Sequence, residues 1–400
     1  MTGASGPLAG LRVLDAATLA AGPLIATWLG EFGAEVIKVE QPDGGDPLRQ
    51  WGAQRDGIGL MWKSLGRNKK SVTLNLREPV GRDLLRELAT RCDVLVMNLR
   101  PATLARWGLA YGQLKGDNPG LVMVHVTGFG AGGPKSDRPG FGTLGEAMSG
   151  FAHLTGHPDG PPTLPSFMLA DGVAALTAGY AVLMALYHRD VHGAPGQLID
   201  INLIEPLARL IEQPVLTYDQ LGTVPGRTGN RWDISAPRNT YRTKDDKWLA
   251  MSGSAPTIAM RALRAVGRAD LTTDPRFAEA QQRLRNAAEI DAVMAGWITD
   301  HTLDEAMAVF EEAEVAAAPV YDAAQLLADP QLAARDVYPS IADAELGSMR
   351  VQAPVPRFSD TPGEVHHLGP PLGAHTDEVY RGLLGLGDER LAELREKKII

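Results

Sequence analysis

Cysteine is almost missing from this chain: Cys92 is the only one in 400 residues. An intramolecular disulfide is therefore excluded, and a reducing compartment is expected. Cys92 stands between a helical pattern and the apolar Val94-Leu95-Val96, where burial rather than catalysis is the expected fate. No apolar run reaches the roughly 20 residues that span a bilayer; the longest, 172–187, has 16. The first ten residues lack a basic stretch followed by an apolar one, so no secretory signal is read and the expected location is cytoplasmic. Net positive charge is lacking as well. Lys and Arg number 39 against 48 Asp and Glu, a net charge of -9, which argues against nucleic acid or an anionic membrane as the main partner. No metal-ligand set is read.

What is present fits a globular protein large enough for two domains, with 44% hydrophobic and 22% charged residues. Apolar strands at 11–14 and 35–39 flank a helix over 24–32 that Gly33 closes. The alternation repeats through a strand at 71–76, a helix at 79–91 with Pro79 in its first turn, and strands at 93–98 and 121–126. This pattern predicts an α/β fold with a mostly parallel sheet. Residues 1–217 read as the first part of a large domain, and 218–240, rich in Gly, Pro, Arg and Thr, as a linker. A smaller α+β domain is read over 241–325, followed by a segment over 326–400 with a closing helix at 376–384.

Charge is uneven along the chain. Between Lys63 and Arg106 ten basic residues face four acidic ones, a local +6 that suggests a confined site for an anionic ligand. Gly128-Phe129-Gly130-Ala131-Gly132-Gly133 fits G-x-G-x-x-G after a strand, but Pro134 and a turn follow where a dinucleotide site needs a helix. Those glycines are read as a tight loop that lets a ligand approach the backbone. Asp171 is the only charge between Ser166 and His188, at the start of an apolar helical run. It reads either as a helix N-cap or as a nucleophile, and local sequence leaves both open. The helix carries small residues at Ala174, Ala178, Ala181 and Ala185 and larger ones at Leu176, Tyr180, Leu183 and Tyr187, so it is expected to be buried all round.

Several ordered motifs resemble one family: Leu8-Ala9-Gly10-Leu11-Arg12-Val13-Leu14-Asp15, Gly22-Pro23, Gly33-Ala34-Glu35-Val36-Ile37-Lys38-Val39-Glu40, Asn68-Lys69-Lys70-Ser71, Asn98-Leu99-Arg100-Pro101 and Pro370-Pro371-Leu372-Gly373-Ala374-His375-Thr376. Together they resemble the class III CoA-transferases, the formyl-CoA and carnitine CoA-transferase group. The resemblance implies a Rossmann-like large domain built from both chain ends, so that 326–400 completes it, and an interlocked homodimer. It also implies that Asp171 is the catalytic carboxylate, forming mixed-anhydride and aspartyl-CoA thioester intermediates. The substrates implied are an acyl-CoA and a small carboxylic acid, with no tightly bound cofactor. CoA contacts are expected at Ala20, Ala21, Gln41, Leu74, Asn75, Arg77, Asn98, Leu99, Arg100, Arg106 and Arg138.

Three departures bear on function. Related α-methylacyl-CoA racemases use a His in the loop matched by 138–142, where this chain has Phe141, which cannot shuttle a proton. The glycine-rich loop of formyl-CoA transferase is matched near Gly229-Asn230-Arg231-Trp232-Asp233-Ile234, so a different acyl pocket is expected. Gln41 stands where some members carry an Arg for the nucleotide phosphate. Arg231 and Arg238 are candidates to hold the second carboxylate of a dicarboxylic acid. The alternatives are a racemase or epimerase, and a CoA-binding homologue without activity.

Overall fold

The computed structural model describes residues 6–400. The chain forms two compact units. The first takes the described residues through Phe151, Leu164–Leu216 and Arg335–Ile400; the second takes Ala152–Thr163 and Thr217–Ala334. The stretch 218–240 starts inside a helix, Gln213–Leu221, and runs into the strand Arg238–Arg242; all of it clusters with the second unit.

A six-stranded parallel sheet organises the first unit: β1 (Arg12–Asp15), β2 (Glu35–Glu40), β3 (Lys69–Thr73), β4 (Val94–Met97), β5 (Val122–Thr127) and β6 (Leu198–Asn202). The spatial order is β3-β2-β1-β4-β5-β6, that of doubly wound nucleotide-binding sheets. Successive side chains point to opposite faces, so each central strand feeds two cores. Val13, Val94, Val96, Val122 and Val124 enter one of them, while Leu14, Leu95, Met97 and Met123 enter the other. The near-continuous apolar strands seen in the sequence follow from this double coverage.

Three helices position the site: α1 (Ala21–Glu31), α2 (Gly142–Met148) and α3 (Leu169–His192). The alanine face of α3, Ala174, Ala175, Ala178 and Ala185, packs into the same core as Ile25 and Ala26 of α1. The expectation that α3 is buried all round fails in the single chain. Leu176, Tyr180, Leu183, Met184, Tyr187 and Val191 are 46–64% exposed along its other side. Small residues let one face approach the sheet closely, and the large apolar series is left turned outward. Among the described residues α3 alone is long and apolar enough to cross a membrane, by length and composition. It exceeds the 16-residue run because the helix continues past His188 and Arg189 to His192, where Gly193 ends it in a left-handed conformation.

The C-terminal segment closes the β3 side. Asn75 N donates to Ile399 O at 2.7 Å and Tyr380 Oη to Thr73 O at 2.8 Å. Cys92 is buried as expected, and burial pushes its thiol up to about 12. The second unit has a three-stranded antiparallel sheet, β7 (Arg238–Arg242), β8 (Trp248–Ser252) and β9 (Ala317–Pro319), with β8 central. Helices Pro256–Ala265, Ala287–Thr299 and Leu303–Glu312 share its core through Leu263, Ile290, Met294 and Phe310.

Beneath the β1–α1 connection lies a fully buried ionic cluster. Lys38 Nζ is 2.9 Å from Asp46 Oδ2 and 3.6 Å from Asp15 Oδ1, and Lys69 Nζ is 2.9 Å from Asp15 Oδ2. Burial disfavours the Lys38 charge, but Asp15, Asp46 and Glu40 outweigh it and push its pKa up. Burial holds Lys69 below its ordinary value despite Asp15. Lys38→Met leaves Asp46 buried without its cation, and is expected to cost about 3–5 kcal/mol of unfolding free energy. Urea denaturation of the variant measures this; a loss below about 1 kcal/mol would mean that Asp46 finds other compensation.

Candidate active site

The sheet order reverses between β1 and β4, and the loops leaving their carboxyl ends diverge there to open a crevice. The loop 16–20 follows β1, and Asn98 follows β4. Thr18 N donates to Asn98 Oδ1 at 3.0 Å and Asn98 Nδ2 donates to Thr18 O at 2.8 Å, tying the two rims together. A cleft of about 680 Å³ opens here. Ala20, Ala21, Asn98, Phe141, Glu146 and Asp171 line it, with Trp51, Met61, Phe167 and Met168 as apolar wall.

Asp171 sits in the first turn of α3, but it is not the N-cap; that position is Met168, which offers no capping side chain. The backbone N–H of Ala21, at the start of α1, and its own N–H are the donors that favour the charged form of the Asp171 carboxylate. Helix starts suit a carboxylate because their first N–H groups lack intrahelical partners. These donors do not win. Burial foremost, and then the neighbouring Glu146 carboxylate, raise the Asp171 pKa above the usual carboxylate value. The charged form is thus less favoured than a helix start alone predicts, and an ionised Asp171 here is poorly solvated and correspondingly reactive.

Two residues of α2 complete the arrangement, and sequence reading missed both. Gly142 faces Asp171 so closely that a methyl at its Cα would overlap Oδ2. Glu146 is 4% exposed, and its Oε1 accepts from Ala170 N at 3.3 Å. Glu146→Gln keeps an oxygen for that N–H and removes the like charge. With Asp171 as the expected catalytic carboxylate, the acid limb of the kcat/KM profile is expected to move to lower pH in this variant. An unmoved limb would show that Glu146 is not the perturbing charge.

The residues expected to contact CoA fall into two groups. Ala20, Ala21 and Asn98 line the cleft with Asp171. Gln41, Leu74, Asn75, Arg77, Leu99, Arg100, Arg106 and Arg138 do not. Gln41 directly follows β2; Leu74, Asn75 and Arg77 follow β3; and Leu99 and Arg100 follow β4, all at the carboxyl edge of the sheet. Leu74 is 1% exposed within the core, so only its backbone can meet a ligand. Arg77, Arg100, Arg106 and Arg138 are exposed.

The local excess of positive charge is smaller in the fold than in the sequence. Lys63 pairs with Asp343 and Glu345, Arg67 with Glu31, Lys69 with Asp15, Lys70 with Glu35 and Glu378, and Arg86 with Asp117. All of these acids come from outside 63–106, which a local count cannot see. In the second unit Arg231 Nε lies 2.6 Å from Asp291 Oδ2, so its charge is already compensated. Arg238 stacks over the Trp232 ring at 5.6 Å and donates to Asn230 O. The G-x-G-x-x-G stretch is a loop, as expected. Its first glycine packs so tightly against Gly140 that neither tolerates a Cβ.

Among the described residues no histidine lines the cleft. His125 on β5 is 4% exposed, with Nε2 at 2.7 Å from Leu99 O, and His153 and His157 belong to the second unit. Residues 8–376 match the family described as CoA-transferase family III. The chain belongs to this family. It is 42% identical, over 98% of both chains, to the succinyl-CoA–D-citramalate CoA-transferase of Chloroflexus aurantiacus. It is also 40% identical to the β subunit of succinyl-CoA–L-malate CoA-transferase from the same organism, again over 98% of both. Among solved structures, a CaiB/BaiF family protein from Brucella suis superposes with a TM-score of 0.83 at 31% identity, covering 95% of this chain and 100% of that one. As a class III CoA-transferase, the protein takes CoA thioesters as substrates.

Proposed function

We propose that this CoA-transferase moves CoA from succinyl-CoA to a short dicarboxylic or hydroxydicarboxylic acid through covalent intermediates on Asp171. The observation that carries the mechanism is the Asp171 carboxylate, desolvated in the crevice beside the start of α1. An ionised carboxylate attacks without a general base, which suits a cleft that no imidazole lines among the described residues. An Asp171 oxygen attacks the thioester carbonyl, the C–S bond breaks, and CoA thiolate leaves a mixed anhydride. The thiolate then attacks the Asp171 carbonyl carbon, which frees the donor acid and leaves an aspartyl-CoA thioester. The acceptor carboxylate expels the thiolate to form a second anhydride, and thiolate attack on the acceptor carbonyl yields the new acyl-CoA and restores Asp171. No net proton transfer is needed. In this mechanism the Ala21 N–H, which favours charge on the Asp171 carboxylate, stabilises the charge that develops on its carbonyl oxygen.

The substrate classes rest on the names of the relatives, which pair succinyl-CoA with citramalate or malate. In this reading Ala20, Ala21 and Asn98 border the pantetheine end of CoA, while Gln41, Arg77, Arg100, Arg106 and Arg138 serve its phosphates. Arg231 becomes a weak candidate for a second carboxylate because Asp291 already engages it. The exposed apolar side of α3 supports an interlocked homodimer, and the enzyme is read as cytoplasmic with no tightly bound cofactor. The test incubates the enzyme with succinyl-CoA and a panel of carboxylic acids in deuterated buffer. CoA transfer that requires an acceptor, without deuterium at the α-carbon, is expected. Acceptor-independent α-proton exchange would favour the racemase reading instead.

A further inference from the structure

The loop 16–20 brings Ala21 to Asp171, yet it contains no glycine and Leu19 adopts φ 69°, a left-handed conformation that L-residues with bulky side chains avoid. Something must hold it. Asp46 Oδ1 and Oδ2 accept from Leu19 N at 3.0 and 3.3 Å, and Oδ1 also accepts from Leu48 N at 2.9 Å. Lys38, paired to Asp46, donates to Ala17 O, while Asp15 Oδ1 accepts from Ala17 N at 3.2 Å. Lys69 carries the same cluster to Pro23 O at 2.7 Å, inside the first turn of α1. Glu40, itself clamped by Arg49, fixes the backbone N of Asp46 at 3.0 Å. The backbone is thus tied to buried charges on both sides of the strained residue.

We infer that Asp46 and Lys38 are positioning residues for the transfer reaction: they hold Leu19 left-handed and so aim the Ala21 N–H at Asp171. Neither touches the cleft; both act through the loop. The ionic cluster does here what glycines do in nucleotide-binding sheets, where the first strand-to-helix turn is permitted by the missing Cβ. A fold that only needed to connect β1 to α1 would have no reason to bury four charges under a strained residue. The inference rests on Asp171 as nucleophile. Glu146 of α2 is the charged group that faces Asp171, and it is untouched by changes to this loop.

The experiment compares Asp46→Ala, Asp46→Asn, Leu19→Val, and Asp46→Ala combined with Leu19→Gly. Each is scored by kcat, by the acid limb of kcat/KM, and by thermal denaturation. Asp46→Ala is expected to lower kcat roughly tenfold or more and to move the acid limb to higher pH, because the carboxylate loses a donor. Asp46→Asn keeps an acceptor for Leu19 N–H and restores both values. Leu19→Gly removes the strain and is expected to bring the acid limb back in the Asp46→Ala background while the lowered Tm remains. Leu19 is only half-buried, so Leu19→Val keeps the fold and should shift the limb by itself. A limb that stays in place in Asp46→Ala and Leu19→Val would overturn the inference, as would a recovery that tracks Tm alone. Hydroxylamine trapping on the unsubstituted enzyme runs alongside: without an Asp171 adduct the nucleophile reading itself fails, whereas an adduct with unmoved variants defeats only the positioning role.

Discussion

Asp171→Ala is expected to lower kcat for CoA transfer by at least about 10⁴-fold, because in the proposed mechanism it removes the carboxylate whose oxygen carries the acyl group and whose carbonyl carbon then carries CoA. CoA binding should persist, since the exposed arginines and the loop after β1 are unchanged; isothermal titration with CoA checks this. Asp171→Asn should be equally inactive and gives a second readout. The folded-state pKa of Asp171 lies above its ordinary value, so the folded chain holds this proton more tightly than the unfolded one. Stability is therefore lost as pH rises from the ordinary carboxylate range through the raised value. An uncharged Asn escapes that cost. Relative to the unsubstituted protein, the Asn variant should gain thermal stability at neutral pH and lose that advantage in acid. A full turnover rate in either variant would sink the assignment.

Gly142→Ala is expected to cost roughly a hundredfold in kcat, although it adds one methyl group in a helix, where Ala is the better helix former. The new Cβ would occupy space that Asp171 Oδ2 holds, and the carboxylate must rotate away from the Ala21 N–H. A drop in kcat with Tm within a few degrees of the parent is the expected pattern. Undiminished activity would place the reacting oxygen elsewhere. Gly145→Ala is the control for packing: a methyl there meets the backbone oxygen of Leu203, so it should lower stability.

These two glycines also explain what the sequence hid. The helix Gly142–Met148 was unreadable because glycine at two of seven positions argues against a helix on propensity. Each is required by a close approach, one to Asp171 and one to Leu203, so local preference was overridden where the site needed space. With the helix unseen, Glu146 had no periodicity to place it beside Asp171. The parallel strands were legible because both faces of the sheet are covered and the runs are uniformly apolar. Their order was not, since it depends on crossovers rather than on local pattern. Likewise, Ser71 N donates to His375 Nδ1 at 3.2 Å across some 300 residues of chain, a pairing with no local signal. The apolar helix α3 was legible as a helix, but its exposed side was not, because composition cannot tell a core from an interface. The same blindness inflated the charge of 63–106, whose partners, such as Asp343 and Glu378, lie far along the chain.

The carboxylate at Asp171 is the central claim, and chemical trapping tests it most directly. The enzyme is incubated with succinyl-CoA and no acceptor, quenched with hydroxylamine, digested, and sequenced by mass spectrometry. Both the anhydride and the aspartyl thioester are activated acyl groups, so the account predicts a hydroxamate on Asp171 that forms only when succinyl-CoA is present. A hydroxamate on another residue, or none while CoA transfer proceeds normally, would contradict it.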